Sequence, residues 1–184
     1  MPITVPQRGL ITPPIAPISG RYYSHRSAYY TTTTTLPMTA NVFYAAPFFV
    51  TAPMTADRIA LNITVAAAGG KLLRIGIYAA TAAGLPGALL VDSGALAADA
   101  IATVQATISQ ALVPGTLYYL AAVTDGTPSV TGSSAFFSPY GGLDATDVTR
   151  QTLSRSFTFA ALPNPWGTAN IWGAVAPHVA LRAV

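Results

Sequence analysis

Leu72–Gly94, LLRIGIYAATAAGLPGALLVDSG, decides the fold. Leu73, Ile75 and Ile77 recur at period 2, with Arg74, Gly76 and Tyr78 on the opposite face, which is the alternation of a β-strand. Ala83-Gly84-Leu85-Pro86-Gly87 then breaks the run, because glycine and proline supply turn backbone and end a ladder. Leu89–Val91 resumes it before Asp92-Ser93-Gly94 closes the unit. Strand, tight turn, strand is the reading, and nothing in the unit carries chemistry.

The same signature repeats outward in both directions. Asn41–Val50 sets Val42 and Tyr44 on one side and Phe43 and Ala45 on the other, and Pro47 requires an edge or a bulge because it has no N–H for a ladder. Arg58–Val65 places Ile59, Leu61, Ile63 and Val65 inward and Arg58, Ala60, Asn62 and Thr64 outward. Ile101–Gln110 places Ala102, Val104, Ala106 and Ile108 on one face and Thr103, Gln105, Thr107 and Ser109 on the other. Leu117–Thr124 is apolar on both faces, as a central strand is. Phe157 and Phe159 mark a further strand, and Val175–Val184 returns as a last one. Ala95–Ala102 is the only stretch with helical propensity, and it is short and poorly amphipathic. These strands, with Gly/Pro turns between them, predict an all-β chain built as an antiparallel, jelly-roll-like β-sandwich.

Two stretches depart from the pattern. Residues 1–20 hold five prolines, so they are expected to form an extended arm separate from the sandwich of 21–184. Its aliphatics Ile3, Val5, Leu10, Ile11, Ile15 and Ile18 are better used docking on a neighbouring subunit than facing water. Residues 126–151, rich in Gly, Ser, Thr and Asp, read as a long loop. Between arm and strands, Tyr22, Tyr23, Tyr29 and Tyr30 precede a run of five threonines; stacking on a sugar or base is one use, and β-pairing accounts for both residue types.

Composition bounds the function. Charged side chains make up 8% of the 184 residues, against roughly 25% in an ordinary soluble domain. Alanine fills 34 positions, threonine 23, and glutamate is absent. So little charge favours a protein that buries surface in an assembly. The uncharged runs Ser27–Ala56 and Ile101–Thr124 are interrupted by Pro, Asn, Gln or clustered Thr, so no spanning helix is expected. The net charge of +3 is scattered and gives no nucleic-acid footprint. With no cysteine there is no disulfide and no thiolate chemistry. MPITVPQRGL lacks a charged region followed by an apolar core, so synthesis in a cytoplasm is expected.

Candidate chemistry is thin. The carboxylates are six aspartates: Asp144 and Asp147 share the polar loop, and Asp92 and Asp99 flank a turn, where aspartate serves as a cap. A depolymerase built on Asp144 or Asp147 needs a second carboxylate at a fixed separation across a cleft. The spacing Asp144-x-x-Asp147 lacks the further oxygen ligands of a calcium loop. His25 and His178 have no metal-ligand spacing around them, and Ser133, Ser134 and Ser138 have no nucleophile elbow. No catalytic residue, cofactor or metal is expected. Phe136, Phe137, Tyr140, Trp166 and Trp172 are the candidates for host or glycan contact from loops around 126–150 and 163–172, with burial as plugs at the ends of the sandwich as the structural alternative.

The segments Arg21-Tyr22-Tyr23, Val42-Phe43-Tyr44-Ala45-Ala46-Pro47-Phe48, Asp57-Arg58-Ile59, Ile75-Gly76-Ile77-Tyr78, Gly84-Leu85-Pro86-Gly87 and Leu112-Val113-Pro114-Gly115-Thr116-Leu117-Tyr118-Tyr119-Leu120 follow one another in an order that resembles a β-sandwich domain of tailed-phage virion proteins. Tail, fibre and head-spike components carry such domains. The resemblance covers Gly20–Gly132, roughly two thirds of the chain. It implies a non-enzymatic structural or receptor-binding part located in the virion, commonly homo-oligomeric and often trimeric; the arm, which lies outside the resemblance, is expected to join it to other virion proteins. A stand-alone carbohydrate-binding or lectin-like adhesin module is the alternative.

Overall fold

The computed structural model describes residues 16–24, 33–134, 152–168, 170–172 and 175–184. Their regular structure is all strand. β1 (Tyr22–Ser24) and β2 (Thr33–Pro37) precede β3 (Val42–Val50), β4 (Met54–Val65) and β5 (Leu72–Ala80). β6 (Pro86–Asp92) and β7 (Leu96–Ala97) lead to β8 (Thr103–Leu112) and β9 (Thr116–Thr124). β10 (Ser129–Ser134), β11 (Thr152–Ser156), β12 (Asn170–Trp172), β13 (Val175–Pro177) and β14 (Ala180–Ala183) complete the order.

They form two antiparallel sheets. Sheet A runs β1-β14-β4-β10-β13, with β2 beside β10 and β8 beside β4. Sheet B runs β12-β11-β3-β9-β5-β6, with β7 beside β5. The β-sandwich reading therefore holds. The stretch that opened the sequence becomes β5, its turn and β6, and Leu73, Ile75 and Ile77 are fully buried between the sheets. They meet Ile59, Leu61 and Ile63 of β4 in the main core. Val65 departs from its expected inward place, because it lies 52% exposed where β4 ends.

β9 is the central strand of sheet B, as its two apolar faces require. Leu120 and Ala122 enter the main core, whereas Tyr119, Ala121 and Val123 enter a second one on the far side of the sheet. β3 divides the same way, Tyr44 inward and Phe43 and Ala45 outward. β11 pairs with β3 only from Val42 to Ala45, so Pro47 lies on the stretch of strand beyond that ladder.

The sequence pattern misplaces several elements. Ser129–Ser134 is a strand within the expected loop, because β2, β4 and β13 all pair with it although its own residues show no apolar alternation. Phe157 and Phe159 follow β11 and lie outside any strand. Ala95–Ala102 contributes the two-residue strand β7 and no helix. Val175–Val184 is two strands, parted at His178 and Val179, with β13 on β10 and β14 on β4.

Candidate functional site

The outer face of sheet B is closed. After β11, residues 157–168 cross it as a strap and bury its second core. Trp166 is its anchor: it is 0% exposed, stacks on Phe43 with ring centroids 4.0 Å apart, and meets Tyr78 edge-on at 5.1 Å. The Arg155 guanidinium lies over Phe157 at 5.1 Å, Trp166 at 5.7 Å and Phe43 at 5.9 Å, where ring faces offset the loss of water around the charge. Backbone contacts pin the strap along its length. Leu162 N donates to Asp92 Oδ2 at 2.9 Å, Leu89 N to Asn164 Oδ1 at 3.0 Å, and Trp166 N to the Gly87 carbonyl at 2.9 Å. The Tyr78 hydroxyl donates to the Pro163 carbonyl at 2.8 Å, and burial raises its pKa well above the ordinary phenol value. Burial likewise pushes Tyr119 up to about 12, and its hydroxyl donates to the Gly84 carbonyl. A Cβ at Gly76 would sit 2.4 Å from Leu162 Cδ1 and 2.6 Å from the Val91 carbonyl oxygen, so only glycine lets the strap lie this close.

Trp166 is thus no host-contact residue; it is buried, as the structural alternative has it, but on the outer face of sheet B and not at an end of the sandwich. Its own sequence context, a Pro/Gly-rich bend, signals exposure, and only the strap's attachment to sheet B reverses that. Asp92 and Asp99 are caps: Asp92 accepts from Gly94 N at 2.9 Å and from Arg74 Nη1 at 2.7 Å, and Asp99 accepts from Gly70 N at 3.1 Å.

The outer face of sheet A is different. Tyr22, Arg182, Arg58 and Thr107 stand opposite one another across β1, β14, β4 and β8. Directly paired residues share a face, so these four form one row, with Tyr23, Leu181, Ile59 and Ala106 as the row beneath it toward the core. Arg182 opposite Arg58 is a like-charge pair, which opposes folding unless neutralised. A register shift of β4 at Asp57 solves this. Asp57 accepts from Arg182 Nε at 2.8 Å and Nη2 at 2.5 Å, and lies 3.8 Å from Arg58. The Arg182 hydrogen bonds hold the Asp57 carboxyl below its usual range and raise Arg182 in turn, so both stay ionised. An acid held charged in this way anchors strands and is poorly suited to proton transfer.

Around this pair the Tyr22 hydroxyl donates to Gln105 Oε1 at 2.8 Å, Asn62 Nδ2 to Thr131 Oγ1 at 2.9 Å, and Thr103 Oγ1 to Asn62 Oδ1 at 3.2 Å. The result is a surface of guanidinium, amide and hydroxyl groups beside Tyr22, which is 44% exposed. Its chemistry is that of a contact surface. Alternation marks Arg58, Asn62, Gln105 and Thr107 as outward residues, but the register that aligns them with Tyr22 and Arg182 is not readable along the chain.

Of the remaining expected site residues, Ile18 is 53% exposed at the entry to β1, where its N donates to the Tyr23 hydroxyl at 2.7 Å. Ile3, Val5, Leu10, Ile11, Ile15, His25, Phe136, Phe137, Ser138, Tyr140, Asp144 and Asp147 lie outside the described residues, and of Trp172 only its place in β12 is described. His178 Nε2 lies 2.5 Å from Ser24 Oγ, a contact that ties β1 to the corner between β13 and β14. A shallow groove of about 400 Å³ opens at one end of sheet B, lined by Phe49, Thr81, Thr116 and Leu117 among others. Among the described residues no cluster of three His, Cys, Asp or Glu could hold a metal, and no helix is long and apolar enough to cross a membrane.

No protein-family model matches the sequence, and no curated protein matches it significantly. Among solved structures, the chain is similar to the cysteine protease and lectin-like domains of Cwp84, a surface layer associated protein of Clostridium difficile, at 11% identity and a TM-score of 0.42 over 77% of this chain and 32% of that one. A second structure, clostridial Cwp84 after propeptide cleavage, gives 9% identity and a TM-score of 0.44 over 83% and 40%. The chain therefore spans less than half the length of either.

Proposed function

We propose that this chain is a non-catalytic structural subunit of a larger assembly, a tailed-phage or phage-like particle being the setting its sequence resembles. The observation that carries the reading is how most of the charges among the described residues are used. Asp57, Arg58 and Arg182 hold sheet A together, Arg74 and Asp92 hold the strap, Arg155 sits among rings, and Asp99 and Asp125 cap backbone N–H groups. Charge committed to internal fastening does little to keep separate copies apart in solution. Ile101, Val113, Leu85 and Leu90 meanwhile remain exposed. A chain made this way is suited to partners that cover it.

In this reading residues 1–20 anchor the subunit and the platform of sheet A faces outward. Deleting residues 1–20 abolishes incorporation into particles and leaves the thermal unfolding of the sandwich intact; normal incorporation of the deleted chain overturns the anchoring. A carbohydrate-binding module is the second reading, and the platform favours it, since a tyrosine ring beside amide and guanidinium donors is the equipment of a shallow glycan site. A glycan array distinguishes the two: hits that Tyr22→Ala abolishes support the module, and a blank array supports the structural role.

A further inference from the structure

Every sheet has edges, and a free edge is a template for another strand, so folded proteins guard them. Most edges here are guarded. β1, β12 and β13 are three residues long, and β2 ends in Pro37. β6 begins at Pro86, ends at the ion-paired Asp92, and is broken by two register shifts against β5.

β8 is the exception. Thr103–Leu112 has ten residues, TVQATISQAL, with neither charge nor proline; it pairs with β4 alone among the described strands, in a ladder whose one register shift falls after Thr107 and leaves Thr103–Thr107 regular. Ile63 N donates to the Ala102 carbonyl, so Ala102, Val104 and Ala106 turn their backbone groups to β4, up to the register shift that follows Thr107. Thr103, Gln105 and Thr107 therefore turn theirs to the open side. Just before the strand, Ile101 is 72% exposed.

We propose that β8 pairs with β8 of a second copy of this chain, antiparallel about a two-fold axis at Ala106. The occupant follows from the strand's self-complementarity. In that register Val104 faces Ile108 of the second copy and Ala106 faces its own counterpart, which extends the half-buried stripe that β8 already adds to the core. On the outer face Gln105 meets Thr107 and Thr103 meets Ser109, uncharged hydrogen-bonding pairs with no repulsion across the axis. Shifting the axis to Thr107 would set Val104 against Gln110 and lose the apolar match. The two A sheets become one continuous sheet, and the twin platforms share a face. This names the surface and partner for the assembly reading above and rests on it, but the tests are separate: particle incorporation reads the arm, whereas the state of the isolated full-length chain reads β8.

Sedimentation of the full-length chain shows a dimer, and Gln105→Pro converts it to monomer while its circular dichroism and melting temperature stay near wild type, because the lost N–H faces away from β4. Tyr22→Phe remains dimeric, showing that the Tyr22–Gln105 contact is not the cause. Gln105→Lys and Thr107→Glu each weaken the dimer alone, and mixing the two restores it at least tenfold in affinity, since the axis at Ala106 sets the introduced ammonium opposite the introduced carboxylate. A wild-type monomer overturns the proposal, and so does any oligomer that Gln105→Pro leaves unchanged. A dimer that Gln105→Pro breaks but the mixture fails to restore overturns the register.

Discussion

Trp166 shows what single residues decide. It touches Phe43 and Tyr78 of sheet B, Arg155 closes over it, and its own backbone N–H reaches Gly87. Trp166→Ala removes the largest fully buried side chain of the described residues and costs about 3–5 kcal/mol, measured by chemical denaturation. The loss shows as stability and leaves any ligand contact of sheet A unchanged, which separates a plug from a binding residue. The sequence marks Trp166 as notable and leaves contact and burial both open, since a Trp between prolines and a glycine carries no periodicity to assign it a face. Gly76 is legible only in retrospect: in β5 it looks like a weak point of a strand, and the strap resting on it supplies the reason.

Strands whose own side chains are apolar on one face or on both were readable; those defined by partners were not. β4, β5, β8 and β9 each show their alternation, or its absence on both faces, and each appears within a few residues of its expected span. β10 and β11 are polar and short, and pairing alone makes them strands. The platform was half legible for the same reason, with faces given by parity and alignment given by register. The Asp57–Arg182 bridge that fixes this alignment has a pH signature. Because the folded-state pKa of Asp57 lies below its ordinary 3.8, its contribution is whole above that value and is lost as pH falls through the folded one. The melting-temperature gap between wild type and Asp57→Asn is therefore present at neutral pH and narrows on acidification below 3.8. A gap constant with pH places the effect in packing instead.

At the scale of the molecule, the two sheets are unequal. Sheet B is buried on both faces, by the main core and by the strap, whereas among the described residues nothing covers the outer face of sheet A or pairs with its long edge at β8. Low charge favours a chain whose surface is covered, and the sheet order shows which surface the described residues leave open. Contacts across this fold are mainly distant in sequence, and β1 on β14 is the extreme case among the strand pairs, with Tyr22 opposite Arg182 from the other end of the sequence. On the ribosome, that separation becomes a delay. β1 and β4 leave the exit tunnel early and find no β14 beside them, and at ~5–20 residues per second they wait on the order of ten seconds before it emerges. Through that interval Tyr23, Ile59 and Leu61 lack the strand that completes their side of the core, so a host that holds nascent chains apart raises the yield of this protein more than that of one built from local contacts.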